Sequence, residues 1–304
     1  MKKKLILVNN EKNEYFPEDI PYCYLRFLYV SNSFINRIAR KIFLKLKIDP
    51  AISFIFRTWI RDVNNVDTII LFDTGNAPYI SSFLRRKFPE KRIIIWYWNP
   101  VSGSIPYANF DSKGLEFWSF DPTDCEKYGF KYNTQFFISK NSNKVFSSLN
   151  QQDVFYVGAD KNRSKILADL KRIFDKNNIS YYFNLVRFHN STNEFGIEYM
   201  KPLSYAAVIE NIKNSKVIVD LVADEQTGLT LRPLEALFYK KKLITNMKTI
   251  KQYDFYNQHN IFIIGMDNDD TLKQFIESDY DESNHEELTF KYEFRSWVNR
   301  FDDV

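Results

Sequence analysis

Asp220-Leu221-Val222-Ala223-Asp224-Glu225-Gln226-Thr227-Gly228-Leu229-Thr230-Leu231-Arg232-Pro233-Leu234-Glu235-Ala236-Leu237 holds an apolar strand end, a polar turn and a helix start in one run. Val217 to Val222 is an apolar run of strand length. From about Leu229 to Tyr239 the chain reads as a helix with Leu231, Leu234, Ala236, Leu237 and Phe238 turned inward. A polar turn with one glycine joins the two. A helix start that follows a buried strand offers unpaired backbone N–H groups and the positive end of a dipole, which suits a phosphate. Pro233 is tolerated because it falls in the first turn, where its missing N–H costs nothing. Glu235 then lies one turn inside the helix, where a carboxylate can accept hydrogen bonds from sugar hydroxyls. Thr227, Thr230 and Arg232, with Gly228 and Leu229 between them, are placed to meet a diphosphate. A plainer account has Thr227 or Thr230 capping the helix, Arg232 solvated and Glu235 complementing the dipole. Capping alone explains neither the glycine nor the Arg-Pro-Leu-Glu cluster, so the ligand reading goes first.

Working outward, Thr227 to Leu237, followed by Lys241-Lys242-Leu243-Ile244-Thr245-Asn246, resembles the sugar-nucleotide motif of GT-B glycosyltransferases, especially bacterial enzymes that build surface polysaccharides. In the retaining families the motif carries two glutamates eight positions apart, and the second binds the nucleotide ribose. Glu235 matches that second position. Thr227 stands where the first would be, so the pattern is half present and stereochemistry stays open. A looser likeness extends over Asp153 to Phe255 and to Trp118-Ser119-Phe120-Asp121. The resemblance implies an α/β chain of two doubly wound, Rossmann-like domains facing a central cleft, with a nucleotide-diphosphate sugar as donor and a glycan or lipid-linked acceptor. It also implies a C-terminal helix returning to the first domain.

The chain of 304 residues is long enough for two domains, each with its own core. The expected boundaries are 1–145 for an acceptor-side domain, 152–285 for a nucleotide-sugar domain and 286–304 for the returning helix. Ser139 to Gln152, rich in Ser, Asn, Gln and Lys, has the composition of a linker. A net charge of +4 is too modest to argue for nucleic acid. Two cysteines, Cys23 and Cys125, make neither a disulfide framework nor a zinc site, so a reducing cytoplasm is the default. No apolar run reaches eighteen residues, and Leu5 to Val8 is too short for a signal-peptide core.

Leu5–Val8, Asp67–Phe72, Arg92–Trp98, Phe117–Phe120 and Phe136–Ile138 read as strands of the first half. Asp153–Val157, Tyr181–Leu185, Val217–Val222, Lys242–Thr245 and Ile261–Ile264 read as strands of the second. Helices are expected at Phe34–Ile48, Ala51–Arg61, Tyr79–Phe88, Arg163–Asn177, Ser204–Asn214 and Glu286–Phe301. Near-continuous apolar strands alternating with helices argue for parallel sheets covered on both faces. Ligands of such sheets bind beyond the carboxyl ends of the strands.

Two more strand ends carry candidate chemistry. After the first strand of the second half, Gly158-Ala159-Asp160-Lys161-Asn162-Arg163 offers a glycine for close backbone approach and, in Lys161 and Arg163, charge suited to a diphosphate. One glycine makes no dinucleotide fingerprint, and the same residues serve an ordinary βα turn. In GT-B proteins this turn faces the donor. Asp73, in Phe72-Asp73-Thr74-Gly75-Asn76, stands where an inverting transferase keeps the carboxylate that deprotonates the acceptor hydroxyl, although Asp also commonly caps such turns. Asp121, before Pro122, is explained by helix capping. His189, His259 and His285 lack metal-ligand spacing, and Asp267-Asn268-Asp269-Asp270 reads as a cap, so neither a metal nor another cofactor is expected.

The function expected is therefore glycosyl transfer. A sugar-nucleotide epimerase of the same double fold, or a nucleotide-sugar-binding scaffold without turnover, are the alternatives. Phe34 to Ile48 adds a localisation question. Phe34, Ile35, Ile38, Ile42 and Leu46 recur at helical spacing beside Arg37, Arg40, Lys41, Lys45 and Lys47, with no acidic residue. That suits peripheral contact with an anionic membrane, but a core-facing helix with a solvated basic side explains the pattern slightly better.

Overall fold

A computed structural model describes residues 3–9, 15–16, 20–29, 34–139, 152–189, 191–192, 194–222 and 227–302. The chain divides into two compact units, Met1–Thr134 with Trp297–Val304, and Gln135–Ser296. The linker-like residues 140–151 lie outside the described ones.

The first unit is built on β1 (Lys4–Val8), β2 (Tyr24–Phe27), β3 (Thr68–Phe72), β4 (Arg92–Tyr97), β5 (Glu116–Ser119) and β6 (Lys131–Tyr132). Among the described residues they form one sheet in the order β2-β1-β3-β4-β5-β6, every pairing parallel. β1 and β3 are buried along their whole length, as strands covered on both faces must be. Helices α1 (Phe34–Lys45), α2 (Asp49–Ile55), α3 (Arg57–Ile60), α4 (Ala77–Lys87) and α5 (Pro122–Tyr128) complete the layers. Arg92 and Lys131 both hold Glu116, with Arg92 bridging β4 to β5 through two bonds of 2.6 and 2.7 Å. The Arg92 bond holds the Glu116 carboxyl down at about 2.

Three expectations need correcting here. The helix read over Ala51–Arg61 breaks at Phe56, whose ring is fully buried 4.8 Å from Trp59. Phe136–Ile138 adds no strand to the first sheet: Phe137 instead forms an isolated bridge with Glu293, within the second unit. Most telling, α1 does not turn its apolar stripe inward. Among its residues with described side chains Leu44 and Arg40 are buried, the Arg40 guanidinium lying 3.7 Å over the Tyr29 ring, whereas Ile38, Ile42 and Leu46 of the expected stripe are exposed; the side chains of Phe34 and Ile35 lie outside the described ones. The two sets are offset by two residues, roughly 200° around a helix, and so occupy opposite faces. An aromatic face for the cation makes burial of Arg40 tolerable.

The second unit contains β7 (Gln152–Ala159), β8 (Tyr181–Val186), β9 (Ser215–Asp220), β10 (Lys242–Thr245) and β11 (Ile261–Ile263), all parallel in the order β11-β10-β9-β7-β8 among the described residues. Its helices are α6 (Ser164–Asn177), α7 (Tyr205–Lys213), α8 (Leu231–Phe238), α9 (Leu272–Glu277), α10 (His285–Tyr292) and the start of α11 (Phe294–Arg300). Leu167, Leu170 and Phe174 of α6 are buried in the same core as Val154, Val217, Val219 and Ile244 of the sheet. The helix read over Glu286–Phe301 is two helices, because Glu293 is extended and its neighbours exchange backbone bonds with Phe137: the Phe137 N–H donates to the Tyr292 carbonyl and the Phe294 N–H to the Phe137 carbonyl, each at 2.9 Å. From Trp297 onward the chain belongs to the first unit, where Trp297 sits edge-on to Trp96 at 5.2 Å, Phe301 packs on Trp118, and Asp302 pairs with the buried Lys4 at 2.6 Å.

Candidate functional site

In the second sheet β7 has its successor β8 on one side and β9 on the other, so the strand order reverses between β7 and β9. Crevices beyond the carboxyl ends of such a pair are where open α/β sheets bind ligands. Two of the sequence segments singled out above, at Gly158 and at Thr227–Glu235, end there.

The turn after β9 is anchored at both ends. Asn246, just past β10, accepts from the backbone N–H of Val222 at 2.8 Å and donates to its carbonyl at 3.1 Å. The Thr230 hydroxyl donates to Asp220 at 2.9 Å and accepts from the Arg232 N–H at 3.2 Å, tying the end of β9 to the start of α8. Thr230 is thus the cap that sequence reasoning offered as the plain alternative, while Gly228 and Leu229 are buried behind it and Thr227 is half-buried. Residues 223–226 lie outside the described ones.

Glu235 is not the solvated partner of a helix dipole. It is fully buried, one carboxylate oxygen held by Arg232 one turn earlier, and its Oε1 has no hydrogen-bond partner among the described residues. A buried polar oxygen without a partner is costly, which makes this strand end a candidate for completion by a ligand. Asp220 faces the same group from the strand. Burial pushes its pKa up to about 6, against the pull of the Thr230 hydroxyl and of the Arg232 and Arg163 charges. Two carboxylates and two guanidiniums therefore share this strand end.

Gly158 lies inside β7, not in the turn after it. What it provides is room: a Cβ there would come within 2.7 Å of the Tyr156 hydroxyl. That hydroxyl is buried beside the Arg163 guanidinium without the alignment of a hydrogen bond, and Arg163 Nε is also buried unpaired. Burial raises the Tyr156 hydroxyl to about 12, so it remains a donor at neutral pH. Arg163 spends one N–H on the Ala159 carbonyl at 3.1 Å. Asp160 is structural: it accepts from the backbone of Arg163 and Ser164 at the start of α6 and from the Tyr199 hydroxyl at 2.7 Å. Lys161 stands apart from the group. It is exposed, its ammonium 5.3 Å over the Phe188 ring, on a cavity of about 640 Å³ that Asn162, His189 and Thr192 also line.

Tyr156 and Asp220 are the two members that sequence reasoning assigned no role. Tyr156 lies two residues before Gly158 and so on the same face of the strand, a signal that was available.

Asp73 occupies the corresponding place in the first sheet, at the end of β3, which with β1 flanks that sheet's own reversal of order. It does not cap its own turn. Its carboxylate reaches across to the chain after β4, accepting from the N–H of Trp98 at 3.0 Å, from that of Asn99 at 3.4 Å and from the Ser104 hydroxyl. Burial still pushes its pKa above the usual aspartate value, against those three donors. The hydroxyl of neighbouring Thr74 is buried without a partner among the described residues. Asp121 caps α5 through the Thr123 N–H at 2.9 Å. Among the described residues no three His, Cys, Asp or Glu side chains gather as a metal site, and no helix is long and apolar enough to cross a membrane.

Solved structures share this architecture over the whole chain. A lipopolysaccharide outer core galactosyltransferase, WaaB, in its apo form matches with a TM-score of 0.54 at 15% identity, over 100% of this chain and 98% of its own. AviGT4, a glycosyltransferase involved in avilamycin A biosynthesis, matches with 0.54 at 8% identity, over 100% and 96%. The glycosyltransferase of kitacinnamycin matches with 0.50 at 9% identity, over 99% and 97%. No protein-family model and no curated protein matches the chain by sequence. At such identities the likeness is one of fold: the chain has two Rossmann-like α/β units, the GT-B fold.

Proposed function

We propose that the protein is a cytoplasmic glycosyltransferase that moves a sugar from a nucleotide-diphosphate donor to a hydroxyl of a glycan or lipid-linked acceptor in cell-surface polysaccharide assembly. The observation that carries this reading is the open Oε1 of buried Glu235, at the strand-order reversal beside two guanidiniums. Ribose hydroxyls would donate to that oxygen, and the diphosphate would draw Arg232 and Arg163. Thr230 and the turn from Thr227 to Leu229 shape the opening, and Gly158 leaves room for the Tyr156 hydroxyl beside Arg163. The fold is one that a lipopolysaccharide galactosyltransferase and an antibiotic glycosyltransferase also use, which supports sugar transfer. In the reaction the acceptor hydroxyl gives its proton to the Asp73 carboxylate and its oxygen forms the new bond to the anomeric carbon. The nucleoside diphosphate departs with the electrons of the broken glycosidic bond. Asp73 is the proposed base because it is a half-buried carboxylate of raised pKa at the strand end.

A thermal-shift screen with UDP-, GDP-, ADP- and dTDP-sugars identifies the donor, since a ligand of the native state raises apparent stability. Glu235→Ala should then weaken that nucleotide at least about tenfold by calorimetry, the scale of a hydrogen bond to a charged group. Unchanged affinity in a folded variant would remove Glu235 from the donor site.

A further inference from the structure

We infer that the outward face of α1 is a docking surface for an anionic lipid bilayer. The inference does not rest on the donor site. Ile38, Ile42 and Leu46 recur every four residues along that face and are 46%, 48% and 64% exposed. Ile48, just past the helix, is also exposed, as is Phe54 of α2 with the Arg57 guanidinium 4.5 Å over its ring. Arg37, Lys41 and Lys45 flank it, all exposed, and Lys47 follows. Between Phe34 and Ile48 there is no acidic residue, and with Arg40 buried on the opposite face the four exposed cations Arg37, Lys41, Lys45 and Lys47 equal the +4 of the entire chain. Asp49, the first acid beyond it, is taken by Arg86 at 2.5 Å.

An apolar stripe rimmed by cations matches the boundary between acyl chains and anionic headgroups. The isoleucines and leucine enter the apolar layer while lysine stems lie along it and hold their charges at the phosphates. A second copy of the chain fits less well. A two-fold contact through this face would set the same cations against one another with no acid of α1 to offset them. The burial of Arg40 over Tyr29 supports the same reading, because it fixes the orientation of α1 that leaves the stripe outside.

The test is co-sedimentation of the full chain with phosphatidylcholine vesicles, with and without phosphatidylglycerol, at low and high salt. Binding is expected only to the phosphatidylglycerol vesicles and is expected to be released by salt. Replacing Arg37, Lys41 and Lys45 together by glutamine should weaken it on the order of 100-fold, from about 1 kcal/mol per cation near the surface. Ile38→Ser, Ile42→Ser and Leu46→Ser combined should abolish it. Both variants should keep the wild-type melting temperature, because every altered side chain is exposed. Equal binding to neutral vesicles, or none to either, overturns the inference. So does a dimer in sedimentation velocity that the serine variant converts to monomer without any vesicle binding, which would assign the face to a second copy. Nucleotide binding, measured without vesicles, is unaffected by either result.

Discussion

In the second unit, the turn at the strand-order reversal leads to a carboxylate with one oxygen held by Arg232 and the other bare. In the first unit, the carboxylate at the corresponding strand end is wrapped by three donors from its own chain. Glu235 is fully buried and Asp73 half-buried, and they differ further in what completes them. Glu235 keeps one oxygen without a partner among the described residues, and the proposed function gives that oxygen to a ligand. Asp73 is held in one orientation, as a group that must be aimed, and a proton it accepts arrives against bonds already made. A binding carboxylate and a proton-transfer carboxylate differ in this sense: the first needs an unmet acceptor, the second needs a fixed direction and a pKa lifted toward neutrality.

The strongest way to break the contrast is Asp73→Asn. With the general base removed, turnover should fall about 100- to 10,000-fold while donor affinity stays near wild type. On the proposed mechanism the wild-type rate depends on the deprotonated Asp73 carboxylate. Because burial raises that pKa, activity should climb with pH along a limb lying above the ordinary aspartate range, and the variant should lose the limb. Near-normal turnover in the variant would leave Asp73 as a brace between β3 and the chain after β4.

A smaller effect separates the two carboxylates of the second unit. Asp220 has a folded pKa of about 6 against an unfolded value near 3.8. The native state therefore holds a proton that the unfolded state has released between those values. Stability is fully present below the unfolded pKa and is lost as pH rises through the folded one, by about 3 kcal/mol in order of magnitude. Asp220→Asn stays neutral throughout. Relative to wild type, it should gain urea-unfolding stability of that order between about pH 4 and pH 7.5, keeping an amide oxygen for the Thr230 hydroxyl. A mutant-to-wild-type difference that does not change with pH would mean that Arg163 and Arg232 already neutralise an ordinary Asp220.

How much of this could be read from the sequence depends on the distance over which each feature is decided. β1, β3, β4, β7 and β10 announce themselves as apolar runs because each is buried on both faces, and a strand so placed has little choice of residue. β2 escaped because Tyr24-Leu25-Arg26-Phe27 is an edge strand with only Leu25 buried, and β6 because it is two residues long. Glu235 was legible from the order of residues around it. That its outer oxygen is open, or that Asp220 and Tyr156 join it, follows only once β7 lies parallel to β9, and these strands are some sixty residues apart. The face of α1 was misassigned for the same reason. Apolar spacing marks the stripe of Ile38, Ile42 and Leu46, and Tyr29, from outside the helix, turns the other face inward by taking Arg40 over its ring.

The finest test compares two hydroxyls, Tyr156 in the open group and Ser104 in the closed one. Tyr156→Phe removes a buried oxygen with no aligned partner, so stability without ligand should change by no more than about 0.5 kcal/mol, in either direction. Ser104→Ala removes a donor to a buried carboxylate and should cost about 1–2 kcal/mol in the same denaturant titration. Nucleotide affinity should reverse the ranking. The Tyr156 variant should bind roughly fivefold more weakly, the loss of one modest hydrogen bond, and the Ser104 variant as wild type. If both changes cost stability equally and neither alters binding, the Tyr156 hydroxyl is part of the packed core, and the open group shrinks to Glu235 and its arginines.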